Sequence, residues 1–325
     1  MDVFDASAAV AHRERAAHEA GDDPDDWLER EVALRLLDRV EDCKRTFARA
    51  AVIGGPHRTT IEALARSRAE VQTIVVVDPS TAALERTQRW LDARRADPGS
   101  RPLPAVTLVG GPRASPDTPD WRPLPDGSVD IVVSALGLQW VNKLPEAMAG
   151  CRRALVPDGL FLAVMAGGNT LQELRIALST VDLERRGGVS ARVSPTARIR
   201  DGGNLLGRAG LVLSTCDLDE IRIGYPDAFA LVSHLRRLGA SNAAPAHPGH
   251  LSVSEMAAAA ATYRELFPGS RPESIEATLQ LMYMTGWSPA PHTPQAARRG
   301  SGTVSFEDIE RIAAEIEDKD KPKPE

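Results

Sequence analysis

Five short, β-branched and almost wholly apolar runs recur along the first half of the chain with helical segments between them, and this alternation restricts the fold more than any other feature. The runs fall at 50–53, 73–77, 105–109, 129–133 and 160–165. Strands that are apolar throughout are covered on both faces, as in a parallel sheet whose right-handed crossovers lay helices on each side. The expected fold is therefore α/β, a doubly wound sheet.

Ahead of the first run, DDPDD at 22–26 makes a turn-like, acidic helix start. Leu28, Val32, Leu36 and Val40 then repeat at i+4 with Leu37 beside them, an amphipathic helix. Residues 97–125, rich in Pro, Gly, Ser and Asp, predict an excursion over the surface rather than core. Thr170 and Glu173 have capping-box spacing for a helix reaching Arg186, where Gly187 and Gly188 stop it. Residues 211–224 alternate as one or two strands, helices follow near 227–238 and 252–267, and a last strand over 278–287 returns antiparallel at the sheet edge. The expected organisation is an N-terminal helical extension over 1–45 and one α/β domain over 46–310 with a helical insertion near 225–275. A charged, unstructured tail over 311–325 completes it.

Composition removes several classes of function. Lys and Arg number 39 against 45 Asp and Glu, a net charge of -6, so the field of the chain repels a phosphate backbone and nucleic acid is not the expected partner. The apolar runs at 74–77 and 256–261 fall far short of the ~18 to 20 residues that cross a bilayer, so no transmembrane segment is expected. Cys43, Cys151 and Cys216 are odd in number and lack C-x-x-C spacing, against a disulfide framework or a Cys-rich zinc site. Residues 1–20 have no apolar signal region and are too acidic for a good transit peptide, so any targeting segment is expected to be missing from this sequence or already removed.

Two features suggest a nucleotide-like ligand. The first strand ends in the glycine turn Gly54-Gly55, where an open α/β sheet meets such ligands, and the second ends at Asp78-Pro79, whose carboxylate can accept from two ribose hydroxyls. The alternative is a plain turn with Asp78 capping a helix that starts at Ser80 or Thr81. Ser134, Leu136 and Trp140 follow the fourth strand and hang over the same mouth, where Trp140 either caps a ligand or packs a helix. His247 with His250, and His12 with Glu14, have the spacing of metal-binding pairs but read as solvated surface, so no metal site is expected. The chain has no G-x-S-x-G elbow and no His beside Cys43, which gives a hydrolase no support.

Longer blocks carry a resemblance: Val3-Phe4-Asp5, LGLQWVNKLP at 136–145, LVPDGLFLAVMAGGNTLQELR at 155–175, ERRGGVSARVSP at 184–195 and DGGNLLGRAG at 201–210. They continue as DLDEIRIGYP at 217–226, LRRLGASN at 235–242, AAAATYRELF at 258–267, ATLQLMYMTGW at 277–287 and ARRGSGTVSF at 297–306. With these blocks in this order the chain resembles the arginine-hydroxylase assembly factor family of mitochondrial complex I, of the assembly factor 5 type, built on the class I S-adenosylmethionine methyltransferase fold. The resemblance implies a seven-stranded sheet in the order 3-2-1-4-5-7-6 and a place on the matrix side of the inner membrane, peripheral to it. It further implies hydroxylation of an arginine on the iron-sulfur subunit of the Q module, alongside other complex I assembly factors. S-adenosylmethionine is the cofactor it implies, held by Gly54, Gly55, Asp78, Pro79, Ser134 and Leu136; the oxidant is unknown.

The chain departs from that family's D-x-G-x-G-x-G motif. It reads Val52-Ile53-Gly54-Gly55-Pro56-His57-Arg58, without the acid and the two later glycines, while Pro56 removes a backbone donor and Arg58 adds bulk. That departure supports a second reading, a non-catalytic assembly chaperone that does not bind S-adenosylmethionine; a small-molecule methyltransferase is a third. A client arginine calls for a carboxylate, since a bidentate pair is the strong solution. The candidates are Glu173, Asp217, Asp219 and Glu220 with Trp140 nearby, and Arg175, Arg298 and Arg299 could meet an acidic client surface.

Overall fold

The computed structural model describes residues 2–111, 114–118, 121–245 and 249–294, together with 300, 301, 305 and 308. The chain divides into two units, 1–290 and 291–325, and all the helices and strands named below lie in the first. Asp5 starts α1 (Ala6–Ala20), its carboxylate accepting the free N–H groups of Ser7 and Ala8. Asp26 does the same for α2 (Trp27–Glu41), which buries Leu28, Val32, Leu36, Leu37 and Val40, the residues whose spacing predicts it.

The doubly wound core follows as β1 (Arg49–Ile53), α3 (His57–Arg66), β2 (Thr73–Val77), α4 (Thr81–Ala96), β3 (Ala105–Val109), β4 (Val129–Ala135), α5 (Leu144–Ala154) and β5 (Leu155–Ala166). Next come α6 (Gln172–Arg186), α7 (Ile199–Arg208), β6 (Val212–Tyr225), α8 (Ala228–Arg237), α9 (Val253–Leu266) and β7 (Ile275–Trp287). The sheet order is β3-β2-β1-β4-β5-β7-β6, the order the resemblance implies. Strands β1 to β5 pair in parallel, and β7 lies antiparallel between β5 and β6. Alternate residues feed two cores: Val52, Val133 and Leu162 join α2 and α6 on one face, and Ile53, Val132 and Phe161 join α5 and α7 on the other.

Two sequence expectations are corrected. The 97–125 excursion is not all surface: Trp121 is 3% exposed and packs on α5, whose Gly150 leaves the room, since a Cβ there would lie 2.9 Å from the Trp121 ring. The Thr170–Glu173 capping box does not form. Strand β7 competes for both side chains: the Thr170 hydroxyl donates to Gln280 O, and Glu173 accepts from the N–H and hydroxyl of Thr278. Helix α6 therefore starts uncapped after Leu171, at φ 55°.

Candidate functional site

The carboxyl ends of β1, β2 and β4 open into a cavity of about 540 Å³, walled by α1, the start of α2, the start of α6, α8 and the 192–196 and 239–242 loops. Two loops cross beneath it almost backbone to backbone. A Cβ on Gly55, which has φ 77°, would lie 2.1 Å from Ala135 O, and one on Gly137 would lie 2.0 Å from Ile53 O, so only glycine fits either place. Ser134 fastens the same crossing, its hydroxyl donating to Ile53 O at 2.9 Å.

Above the crossing sits Asp78, which is fully buried. Its Oδ1 accepts the Ser80 N–H at 2.8 Å, a turn ahead of α4, whose cap is not Asp78 but Ser80, its hydroxyl accepting from Ala83 N. Its Oδ2 accepts Arg13 Nε from α1 at 2.7 Å and lies 2.9 Å from His57 Nε2. Arg13 Nη2 also donates to Gly55 O at 2.7 Å, so one arginine ties the glycine turn to the β2 carboxylate. Burial pushes the Asp78 carboxyl up, and the charges of Arg13 and His57 outweigh it, holding the group well below the usual carboxylate range.

The residues that depart from the glycine motif are those that hold the N-terminal helices. His57 Nδ1 lies 2.8 Å from Thr87 Oγ1, which fixes the ring beneath Arg13. Arg58 donates to Asp22 O and Asp23 O, both at 2.9 Å, and Arg86 donates to Asp23 O and to Asp25 Oδ1, so two arginines grip the turn between α1 and α2. The extreme N-terminus is pinned as well. Asn142 accepts from Val3 N and Phe4 N and donates to Phe4 O, while the Phe4 ring meets Trp140 edge-on at 5.4 Å.

Of the residues singled out in the sequence, Gly54, Gly55, Asp78, Pro79, Leu136 and Trp140 line this cavity together. Ser134 is buried below it, and its hydroxyl is engaged as described. Glu173 is buried against Thr278 and is not among the lining residues. Asp217 pairs with Arg39 at 2.9 Å and Asp219 with Arg35, across the β6 edge and α2, while Glu220 lies 3.5 Å from Arg222 on β6; none of the three lines the cavity. Glu14 accepts the first free N–H groups of α4, Thr81 N and Ala82 N. His250 lines the cavity, and His247, Arg298 and Arg299 fall outside the described residues, as does the 311–325 tail. Sequence reasoning missed Arg13 and Glu29, which line this cavity, and His57, which holds Asp78 from below; their helical contexts carry no local sign that they come together.

A parallel sheet extended by an antiparallel β7, with a glycine turn after β1 and a carboxylate after β2 facing one cavity, defines the class I methyltransferase fold. Residues 53–163 match the methyltransferase domain family. The solved structure of the YcgJ protein of Bacillus subtilis has the same fold, with a TM-score of 0.51 and 14% identity over 79% of this chain and 98% of that one. Arginine-hydroxylase NDUFAF5, mitochondrial, of Danio rerio is 35% identical over 312 residues, 96% of this chain and 91% of the relative. Malonyl-[acyl-carrier protein] O-methyltransferase of Halorhodospira halophila is 34% identical over 278 residues, 83% of this chain and 84% of the relative. The chain belongs to the NDUFAF5 arginine-hydroxylase family.

Proposed function

We propose that this chain is a complex I assembly factor that binds an arginine of an iron-sulfur client subunit in the cavity over β1, β2 and β4 and directs its hydroxylation. The observation that carries the reading is the construction of that cavity: the N-terminal hairpin and α8, elements outside the 53–163 methyltransferase core, supply its walls. The similarity to NDUFAF5 over 96% of the chain includes those elements. Hydroxylation places an oxygen in a bond of the arginine and removes two electrons, so an oxidant must act with the protein. The side chains bind the arginine, orient it and keep bulk water away.

S-adenosylmethionine fits the cavity by position and volume, which falls in the range of cofactor sites. Gly54, Gly55, Pro79 and Leu136 would line it, with Asp78 toward the ribose once Arg13 withdraws from Oδ2. When bound, the group supplies an electrophilic methyl carried on a sulfonium. The Arg13–Asp78 contact also favours the second reading, a chaperone in which this carboxylate serves structure. The matrix, a peripheral position at the inner membrane and contact with other assembly factors belong to the same proposal. Among the described residues no helix is long and apolar enough to cross a membrane.

The test is co-expression with the iron-sulfur client and mass spectrometry of its arginines. A gain of one oxygen atom that depends on this chain supports hydroxylation. An unmodified client that still co-purifies with the chain supports the chaperone instead. Titration with S-adenosylmethionine and S-adenosylhomocysteine decides the cofactor.

A further inference from the structure

The carboxylates that line the cavity are Asp78, Asp117 and Glu29. Asp78 is engaged by Arg13, His57 and Ser80 N. Asp117 accepts Asn142 N at 2.8 Å, Lys143 N at 3.2 Å and Asn142 Nδ2 at 3.4 Å. Glu29, in the first turn of α2, has no hydrogen bond and no ion pair within 4.0 Å among the described residues. The other charges at the walls are matched: Arg13 by Asp78, and Arg192 by Asp182 at 2.8 Å, with one Arg192 nitrogen, Nη2, buried and unpaired. Gln139 Oε1 and Thr196 Oγ1, on two further lining residues, are buried without a partner. The unused capacity of this cavity is thus mainly that of acceptors, with one uncompensated carboxyl among them. A ligand complementary to it carries a positive charge and several N–H donors, and a planar guanidinium answers a carboxylate with two parallel bonds.

We propose that Glu29 is the anchor for the guanidinium of the client arginine, an assignment that rests on the arginine-modifying reading above. Its environment is consistent with that role. Burial pushes the Glu29 carboxyl up, to about 7, helped by Asp25 and Asp26 in the same turn and opposed by Arg13 of α1 and Arg86 of α4. Removing this charge leaves no broken pair behind, unlike removal of Asp78. The fully committed Asp78 is left free of this duty, and Glu173, Asp217, Asp219 and Glu220 are placed elsewhere.

The experiment titrates the full chain and Glu29→Gln with N-acetyl-arginine methylamide and with its neutral citrulline counterpart, followed by NMR. The wild type should prefer the arginine probe by about tenfold or more, the scale of one charge-assisted pair. Glu29→Gln should lose that preference while its melting temperature stays level or rises. Arginine affinity should climb from pH 6 to pH 8 in the wild type, as Glu29 ionises about its value near 7, and stay flat in the variant. Equal preference for arginine in both proteins overturns the assignment to Glu29 and leaves the arginine reading standing. Wild type that does not distinguish the two probes overturns the arginine reading itself. A variant that keeps the arginine preference and weakens S-adenosylmethionine instead places Glu29 at the cofactor's ammonium and overturns the assignment.

Discussion

Replacing Asp78 by alanine should destabilise the fold before it changes any chemistry. The carboxylate is fully buried and accepts from Ser80 N and Arg13 Nε, with His57 Nε2 at 2.9 Å. Its removal strands a guanidinium and an imidazole against an emptied space. Breaking a buried pair costs about 3–5 kcal/mol. The Arg13 side chain is 27% exposed and can turn toward water, so the low end applies, about 3 kcal/mol. At about 2 °C per kcal/mol for a unit of this size, the melting temperature should fall by about 6 °C in differential scanning calorimetry. Arg13→Ala leaves Asp78 with His57 and Ser80 and should cost less, about 1–2 kcal/mol. The double variant should then be no worse than Asp78→Ala alone, a non-additivity of about 1–2 kcal/mol. Strictly additive losses, or an Asp78→Ala protein that melts with the wild type, would show that Arg13 does not rest on this carboxylate. The same set separates structure from binding: Asp78→Ala should lose S-adenosylmethionine together with stability, whereas Arg13→Ala, which leaves His57 as the one side-chain partner of Oδ2 among the described residues, should bind it more tightly.

The depressed carboxyl of Asp78 adds a pH dependence: its stabilisation is complete above the unfolded carboxylate value of about 3.9 and is lost as pH falls through the lower folded one. Melting temperatures measured below about pH 4 should therefore drop more steeply in the wild type than in Asp78→Asn. Arg58→Ala removes two charged donors from Asp22 O and Asp23 O, about 2 kcal/mol of local support, and hydrogen exchange should quicken through the 21–25 turn while β4 and β5 stay protected. Trp121→Ala empties a buried slot against Gly150 and should cost about 3–5 kcal/mol in urea unfolding, a loss that a mere surface loop would not show.

What could be read from the sequence and what could not divides along the range of the interactions involved. The strands at 73–77 and 105–109 are legible to the residue because their apolar run and β-branching are local, and this holds even for β3, which lies half-buried at the sheet edge. Gly54, Gly55 and Asp78 are legible as parts of one site because the topology of any such sheet brings the ends of its first two strands together. The capping box at Thr170 fails for the opposite reason, since Gln280 and Thr278, more than a hundred residues away, take both side chains. The glycine motif shows the same limit most clearly. Read along the chain, Pro56-His57-Arg58 is a damaged cofactor loop. In space, His57 sits under Arg13 and Arg58 holds the turn that delivers it, so the residues missing from the motif are replaced by residues that dock the N-terminal helices. The loop therefore does two things: Gly54 and Gly55 line the cavity, and His57 and Arg58 support the α1–α2 hairpin that places Arg13 and Glu29 on it. Whichever ligand this protein takes, the position of that hairpin sets how much of Asp78 it can reach.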